Sequence, residues 1–396
     1  MTIAEEIKLQ IDNIAHGGWG VARTDGKVVF VAGAIPGDTV LAQVFQSKKS
    51  FAKADAVELI EPSPDRRAHI WPAADIDKHP KARPGGADYG HITPAAQLRY
   101  KSQILAESML KFAKLNIADD LVKPIGEHDQ GWRTRVDLHV GENGIPGPFA
   151  ERSKNVINVD SLPLATEAIN QASIHTQEFF GAERIRIIDN QGEIRLVIDN
   201  QKPSTITETA GGIEFQLADT GFWQVHKNAA ETLFNSVSEM IDENLLDPRA
   251  NNHDLFGGVG LLASALLKKD TEAKIISVES DETAVDFASS NLSFAPHARS
   301  VESKVDDYLR ELTENNAKLT GATVIMDPPR VGAGRDVMQN LTSMRPAQII
   351  YVACDPVALA RDVEFAMQAG YSLQEIKGFD LFPNTHHFEA VARLTL

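Results

Sequence analysis

The chain has 396 residues, a length that suits two or three domains better than one small one. Hydrophobic residues make up 43% and charged residues 24%, globular proportions that exclude wholesale disorder. A net charge of −16, no apolar run of ~18 residues and no basic-then-apolar start argue against a wholly basic surface, a membrane span and a secretory signal, which leaves a cytoplasmic protein.

Charge is unevenly spread along the chain. Residues 1–61 hold 6 Lys/Arg against 8 Asp/Glu, residues 62–135 hold 12 against 9, and the remainder holds 21 against 38. A polyanion would therefore meet the first third most easily. Residues 1–61 read as five short strands, Ile7–Ile11, Val21–Arg23, Lys27–Val31, Thr39–Val44 and Ala54–Leu59. Gly17, Gly18 and Gly20 separate the first two, and Asp25-Gly26 is a hairpin-turn signal. This spacing predicts a small β-barrel of the OB kind. The Pro/Gly/Ala-rich stretch 61–94 reads as a loop, and Leu98, Ile104, Leu105, Met109 and Phe112 give residues 95–115 a helical period.

Residues 125–215 are strand-rich, with candidates Val136–Val140, Ile185–Ile188, Ile194–Ile198 and Ile213–Leu217 and one helix over Glu167–Phe180. From about residue 228 the pattern alternates. A helix over 228–245 precedes a strand ending at Asp254-Leu255-Phe256, then a helix over 260–268, a strand Ile275–Val278 and a helix over 281–292. A strand Ala322–Met326, a helix over 335–343, a strand Gln348–Val352 and a helix over 356–369 continue it. Alternation of this kind predicts an α/β, doubly wound, largely parallel sheet.

The chemistry-bearing residues cluster where those strands end. Asp254-Leu255-Phe256-Gly257-Gly258-Val259-Gly260 lets the backbone turn sharply and approach a ligand closely. Glu279, at the end of the next strand, can accept both ribose hydroxyls of a nucleoside cofactor. The loop is neither GxGxxG nor a Walker motif, so phosphate-free S-adenosylmethionine fits better than a dinucleotide or triphosphate. Asp327-Pro328-Pro329-Arg330 carries the chain rigidly off the sheet at the edge where such folds bind ligands.

Cys354 is the only cysteine, which excludes an internal disulfide, a CxxC zinc ribbon and a cysteine-ligated iron–sulfur cluster. It stands between a strand and a helix, whose N-terminal dipole favours thiolate. In the tail, Phe382-Pro383-Asn384-Thr385-His386-His387-Phe388-Glu389, adjacent histidines on a strand would point to opposite faces, so no metal is expected. Glu389 is a candidate general base.

DPPR, then YVxC-x-P, then FPxTxHxE, in that order, resembles the bacterial uracil-C5 RNA methyltransferases that act on tRNA or 23S rRNA. The first 61 residues are similar to the TRAM module of the rRNA-acting members. Trp132-Arg133-Thr134-Arg135 resembles the family's aromatic-Arg-Asn-basic element, and Asp219–Gln224 resembles its FxQ loop, so the likeness spans nearly the whole chain.

That resemblance implies a Rossmann-like class I methyltransferase domain over residues 216–396 and an RNA-binding TRAM barrel over residues 1–61. Between them, residues 62–215 would form a linker, a helix and a central α+β RNA-binding domain. Cys354 would be the nucleophile and Glu389 the base, with Gln224, Phe256, Gly258, Glu279 and Asp327 around S-adenosylmethionine. The partner would be RNA, 23S rRNA more than tRNA, with no membrane and no obligate protein partner. The alternatives are a non-catalytic RNA-binding relative, or a methyltransferase for an amino group on a base or protein.

Several positions depart from the family pattern. The family's CGGCxxQH reads Pro84-Gly85-Gly86-Ala87-Asp88-Tyr89-Gly90-His91, with both thiols gone, so the loop at 69–91 is a degenerate iron–sulfur loop. CNP reads Cys354-Asp355-Pro356, which puts a carboxylate beside the thiol and opposes the helix dipole. Leu261 replaces a polar residue near the cofactor, and Lys304 stands where an acidic residue often contacts adenine.

Overall fold

A computed structural model describes residues 6–24 and 26–396. The chain divides into two compact units, one of residues up to Ile104 with Gly126–Gln201 and Phe382–His387, the other of Leu105–Ile125, Lys202–Leu381 and Phe388–Leu396.

The first unit begins with strands β1 (Glu6–Gln10), β2 (Asn13–Ala15), β3 (Trp19–Thr24), β4 (Lys27–Ala32), β5 (Thr39–Ser47) and β6 (Phe51–Glu61), in the sheet order β1-β5-β6-β4-β3-β2. The two ends of that order, β1 and β2, are one segment of chain bent at Ile11–Asp12, so the sheet curls into a five-stranded barrel of the expected OB kind. Alternation along each strand turns small and branched side chains inward. Leu9, Ile11, Ala22, Val29, Val31, Val40, Ala54 and Ala56 make the barrel core. Thr24 pairs with Lys27 at the expected hairpin, whose Gly26 has φ 73. Asp25 of that turn lies outside the described residues.

The stretch after β6 carries no long element, yet it is anchored from within. Arg83 is 2% exposed, and its guanidinium donates to the carbonyls of Lys78 (2.9 Å), Ala56 (2.9 Å) and Ile76 (2.8 Å). Three carbonyl acceptors stand in for the water the cation has lost, while burial still pushes its pKa down. His69 and His91 stack at 6.0 Å, and burial pushes His69 down to about 4, so it is neutral.

Helix α1 (Pro94–Ser108) widens into a π turn over Met109–Ala113 and stops at Lys114, which takes φ 59. After β7 (Val122–Pro124), strands β8 (Arg135–Val140), β9 (Pro146–Gly147), β10 (Arg184–Asn190) and β11 (Glu193–Ile198) form an antiparallel sheet in the order β11-β10-β8-β9. The helix expected over Glu167–Phe180 is shorter, α2 being Glu167–Ala172. Ser173 takes φ 53 and its hydroxyl donates to the Asn170 carbonyl (3.2 Å), a local bond that ends the helix and leaves a single 3-10 turn.

The second unit opens with a hairpin of β12 (Thr205–Ala210) and β13 (Ile213–Ala218), followed by α3 (Ala229–Met240). The alternation then runs β14 (Asn252–Leu255), α4 (Leu261–Leu267), β15 (Ile275–Glu279), α5 (Glu282–Asn291), β16 (Ala298–Glu302) and α6 (Val305–Glu314). It continues with β17 (Thr323–Met326), α7 (Gly334–Ser343), β18 (Gln348–Ala353), α8 (Pro356–Gln368), β19 (Ser372–Asp380) and β20 (Glu389–Thr395). One eight-stranded sheet results, ordered β16-β15-β14-β17-β18-β20-β19-β7, in which β20 alone runs antiparallel to its neighbours. Strand order reverses between β14 and β17, and ligands of open α/β sheets bind at such a switch point. Among the described residues no helix is long and apolar enough to cross a membrane.

Candidate active site

Two loops meet at the switch point. The Asp254 carboxylate is fully buried and one of its oxygens accepts the Ala263 N–H (2.9 Å), so the turn closes on helix α4. Its other oxygen has no partner, nor does the buried Ser277 hydroxyl. A Cβ on Gly257 would sit 2.1 Å from Ser277 Oγ and 3.0 Å from Asp254 Oδ2, so only glycine fits there. Phe256 takes φ 63 and is half-buried. Gly258 faces open space and donates its N–H to Glu279 Oε2 (3.1 Å), so this expected cofactor contact positions Glu279 through its backbone.

Glu279 Oε1 already accepts from Ser280 N (2.5 Å), Ser280 Oγ (3.0 Å) and Asp281 N (3.0 Å). One ribose hydroxyl can therefore reach Oε2 directly, and a second must displace one of these donors. The orphaned Asp254 and Ser277 oxygens beside a glycine that admits no side chain fit a small polar ligand, and they suit a nucleoside with an amino-acid tail. Leu261 is half-buried at the start of α4, and Lys304 is exposed as the N-cap of α6, with no capping bond from its side chain. Gln224 is half-buried and hydrogen-bonds none of these groups. Its neighbour Trp223 packs against Phe215 (5.6 Å between centroids) and fixes the loop.

The thiol and the second carboxylate lie at the same edge of the sheet. Strands β18 and β20 pair through Ala353 and Ala390, and continuing that ladder sets Cys354 opposite Glu389. Asp327 directly follows β17, whose Met326 pairs with Tyr351 of β18. Cys354 is half-buried and Glu389 is 5% exposed.

These groups repel one another's charges. Burial pushes the Cys354 thiol up to about 12, and Glu389, Asp327 and Asp355 add to it while the Arg330 guanidinium opposes. Burial and Asp327 hold the Glu389 carboxyl well above the usual carboxylate range, again against Arg330. Burial also pushes Asp327 up to about 7, and burial with Asp327 and Glu279 pushes Asp254 up to about 8. In the resting protein the thiol is thus protonated, against the thiolate expected at the start of the helix. Asp355, the expected antagonist of that dipole, is the smallest contributor. Its carboxylate caps α8 by accepting from Val357 N (3.0 Å) and Ala358 N (2.8 Å).

Sequence reasoning missed what holds Arg330. The loop after Pro329 is fastened by Asp362, which accepts from Ala333 N (2.7 Å), Gly334 N (3.2 Å) and the buried Tyr351 hydroxyl (2.5 Å). An acid at a buried position of an otherwise apolar helix face, between Leu359 and Val363, is the signal that could have found it.

The tail histidines find partners other than a metal. His386 Nδ1 lies 2.7 Å from the Asp88 carboxylate, so the segment Phe382–His387 is tied to the loop around Asp88. In the same unit, Asn384 accepts at its carbonyl from Tyr89 N (2.9 Å) and donates from its own N–H to Gln97 Oε1 (2.7 Å).

Comparison with known proteins identifies the family and the fold. A family profile described as "TRAM domain" matches residues 2–57, and one described as "tRNA (Uracil-5-)-methyltransferase" matches residues 301–395. An "Uncharacterized RNA methyltransferase" of Streptomyces avermitilis is 33% identical over 99% of this chain and 98% of its own length. A protein of that description from Corynebacterium diphtheriae is 30% identical over 98% of this chain and 96% of its own. In fold, the chain resembles a Pyrococcus abyssi tRNA (uracil-54, C5)-methyltransferase solved with S-adenosyl-L-homocysteine, at a TM-score of 0.72, 21% identity and coverage of 98% and 99% of the two chains.

Proposed function

Because the chain belongs to the TRAM-containing uracil-C5 RNA methyltransferase family, we propose that it transfers a methyl group from S-adenosylmethionine to carbon 5 of a uridine in RNA through a covalent Cys354 adduct. The observation that carries this reading is the register that sets Cys354 opposite Glu389 at the edge of β18 and β20, with Arg330 and Asp327 acting on both. Bound at the loops after β14 and β17, with Gln224, Phe256, Gly258, Glu279 and Asp327 around it, the cofactor supplies an electrophilic methyl on a positively charged sulfur.

Carbon 5 of uracil is a poor nucleophile because its electrons are committed to the conjugated carbonyls. The Cys354 thiol would give up its proton to solvent and its sulfur bond to carbon 6, the 5,6 double bond would become an enolate, and carbon 5 would then take the methyl as the methyl–sulfonium bond breaks and S-adenosylhomocysteine leaves. Glu389, as carboxylate, removes the carbon-5 proton. The electron pair left behind re-forms the double bond and expels the Cys354 thiolate. Arg330, which eases ionisation of both groups, stabilises the thiolate and the carboxylate as they form. A stacked uracil cannot reach this edge, so the base must be flipped out, at a cost of about a few kcal/mol. The barrel and the basic stretch 62–135 would hold the flanking phosphates.

Incubation of the protein with 5-fluorouridine-containing RNA and S-adenosylmethionine tests the adduct, since carbon–fluorine bonds are not cleaved by a base. Wild type should give an SDS-stable protein–RNA complex. Cys354→Ala should give neither complex nor methyl transfer, and Glu389→Gln should hold an adduct on unmodified RNA. Full activity of Cys354→Ala would end the proposal. The TRAM-like barrel favours 23S rRNA over tRNA as substrate, and nucleoside mass spectrometry of both RNAs from a deletion strain decides between them.

A further inference from the structure

The first unit holds a cavity of about 210 Å³ that the reaction above does not use. Its walls include Trp71, Leu138, Pro148, Leu162 and Pro163, and Gly85 and Gly86 border it. Gly86 takes φ +109 and a Cβ there would meet nothing within 4 Å, so this stretch of backbone faces open space. The lone cation of the lining is Arg133. Its Nε donates to the Arg135 carbonyl (2.9 Å), and its backbone pairs with Ala165 in a parallel bridge, which fixes the root of the side chain. Among the described residues its terminal amino groups reach no acceptor.

The nearby acid does not neutralise it. Asp137 is held by Arg184 (2.8 Å) and Arg186 (2.8 Å), so its carboxylate is already shared between two other guanidinium groups. The guanidinium stands 6.0 Å from the centre of the Trp132 ring and shares the cavity with Asp137 and mostly apolar walls, which leaves its terminal donors open to an anion. Burial pushes its pKa down, with Asp137 opposing. The volume equals about seven waters at about 30 Å³ each, room for one flat ring system and below the ~300 Å³ of larger ligand sites. Indole and proline walls suit the face of a heterocycle.

We propose that this cavity takes one unpaired nucleotide of the RNA, its base against the Trp71 and proline walls and its phosphate on Arg133. The assignment of the ligand to RNA rests on the family reading above. The pocket's place does not, because none of Cys354, Glu389, Asp327 and Glu279 lines it. Binding there would grip a nucleotide other than the one methylated and so help select the RNA.

The test is methyl NMR of the full chain, labelled at Leu and Val and saturated with S-adenosylhomocysteine to block the cofactor loops. AMP, GMP and CMP are added singly, with ribose 5-phosphate and inorganic phosphate as controls. At least one mononucleotide should shift Val136, Leu138 and Leu164 together. Arg133→Gln should weaken that binding tenfold or more, and Ala165→Leu, which narrows the cavity, should abolish it while methyls of the second unit stay in place. Shifts equal for phosphate and the mononucleotides, or unchanged affinity in Arg133→Gln, would overturn the proposal. Methyl transfer is read in a separate assay, so a chain that methylates RNA without these shifts defeats this site alone. Shifts without methylation defeat only the proposed reaction.

Discussion

Two of the carboxyl groups at the switch point rest partly protonated, and this makes the charge of the proposed cofactor measurable. Asp254 is pushed up to about 8 and Asp327 up to about 7, in both cases chiefly by burial. A sulfonium placed beside them favours their ionised forms, so its binding must release protons. At pH 6 ionisation costs about 1.4 kcal/mol for Asp327 and about 2.7 kcal/mol for Asp254, at 1.36 kcal/mol per unit between pH and pKa. Affinity for S-adenosylmethionine should therefore rise with pH, about tenfold per unit for each proton released, and level off above pH 8. S-adenosylhomocysteine keeps every other group but lacks the positive sulfur. The ratio of the two affinities should climb about tenfold or more between pH 6 and pH 8.5. Calorimetry in two buffers of different ionisation enthalpy counts the protons directly, and Asp327→Asn should lower the slope below pH 7 from about a hundredfold to about tenfold per unit, leaving the rise that Asp254 carries. Parallel pH profiles for the two ligands, with no proton released at pH 7, would refute the electrostatic reasoning.

Three further perturbations follow from particular contacts. Asp362→Ala removes the acceptor shared by Ala333, Gly334 and Tyr351, so denaturant unfolding should show a loss of about 2–3 kcal/mol. kcat should fall tenfold or more with cofactor affinity within about twofold; an unchanged kcat would mean that the loop does not position Arg330. Gly257→Ala should weaken cofactor binding at least about thirtyfold, because its Cβ would stand 2.1 Å from Ser277 Oγ, and adding Ser277→Gly should restore part of it. Failure of that rescue in calorimetry would show that another contact sets the glycine. Arg83→Gln strips donors from the buried carbonyls of Ala56 and Ile76 and the partly buried one of Lys78, and should cost about 2–4 kcal/mol in urea unfolding, against less than about 1 kcal/mol if the carbonyls are reached by water.

The sequence made the barrel and the parallel sheet legible for different reasons. Each barrel strand alternates around a one-sided core, and β15, β17 and β18 are short apolar runs between helical patterns, whereas β14, Asn-His-Asp-Leu, is buried but polar and shows itself by the glycine loop that follows it. Strand β16 escaped because it is an edge strand, Ala-Arg-Ser-Val-Glu, half solvated and polar enough to pass for a loop. Strand β19 is likewise mostly half-buried, and its pairing with β20 and β7 depends on residues more than 200 positions away in the case of β7.

At the site, Cys354, Glu389, Asp327 and Glu279 were visible because each ends or begins a strand at the ligand edge. Their protonation was not, since it depends on burial and on one another. Arg330 stands inside a visible motif, but its effect on the thiol and on Glu389 emerges only when β17, β18 and β20 are side by side. Asp362 and Arg83 carry no motif. Each works by gathering backbone groups from distant or irregular segments, and such gatherings leave no period in the chain.

The guanidinium of Arg83 also bears on what this loop needs from outside the chain. It is fastened by groups the polypeptide itself carries, so its hold on Lys78, Ala56 and Ile76 should be indifferent to an added chelator.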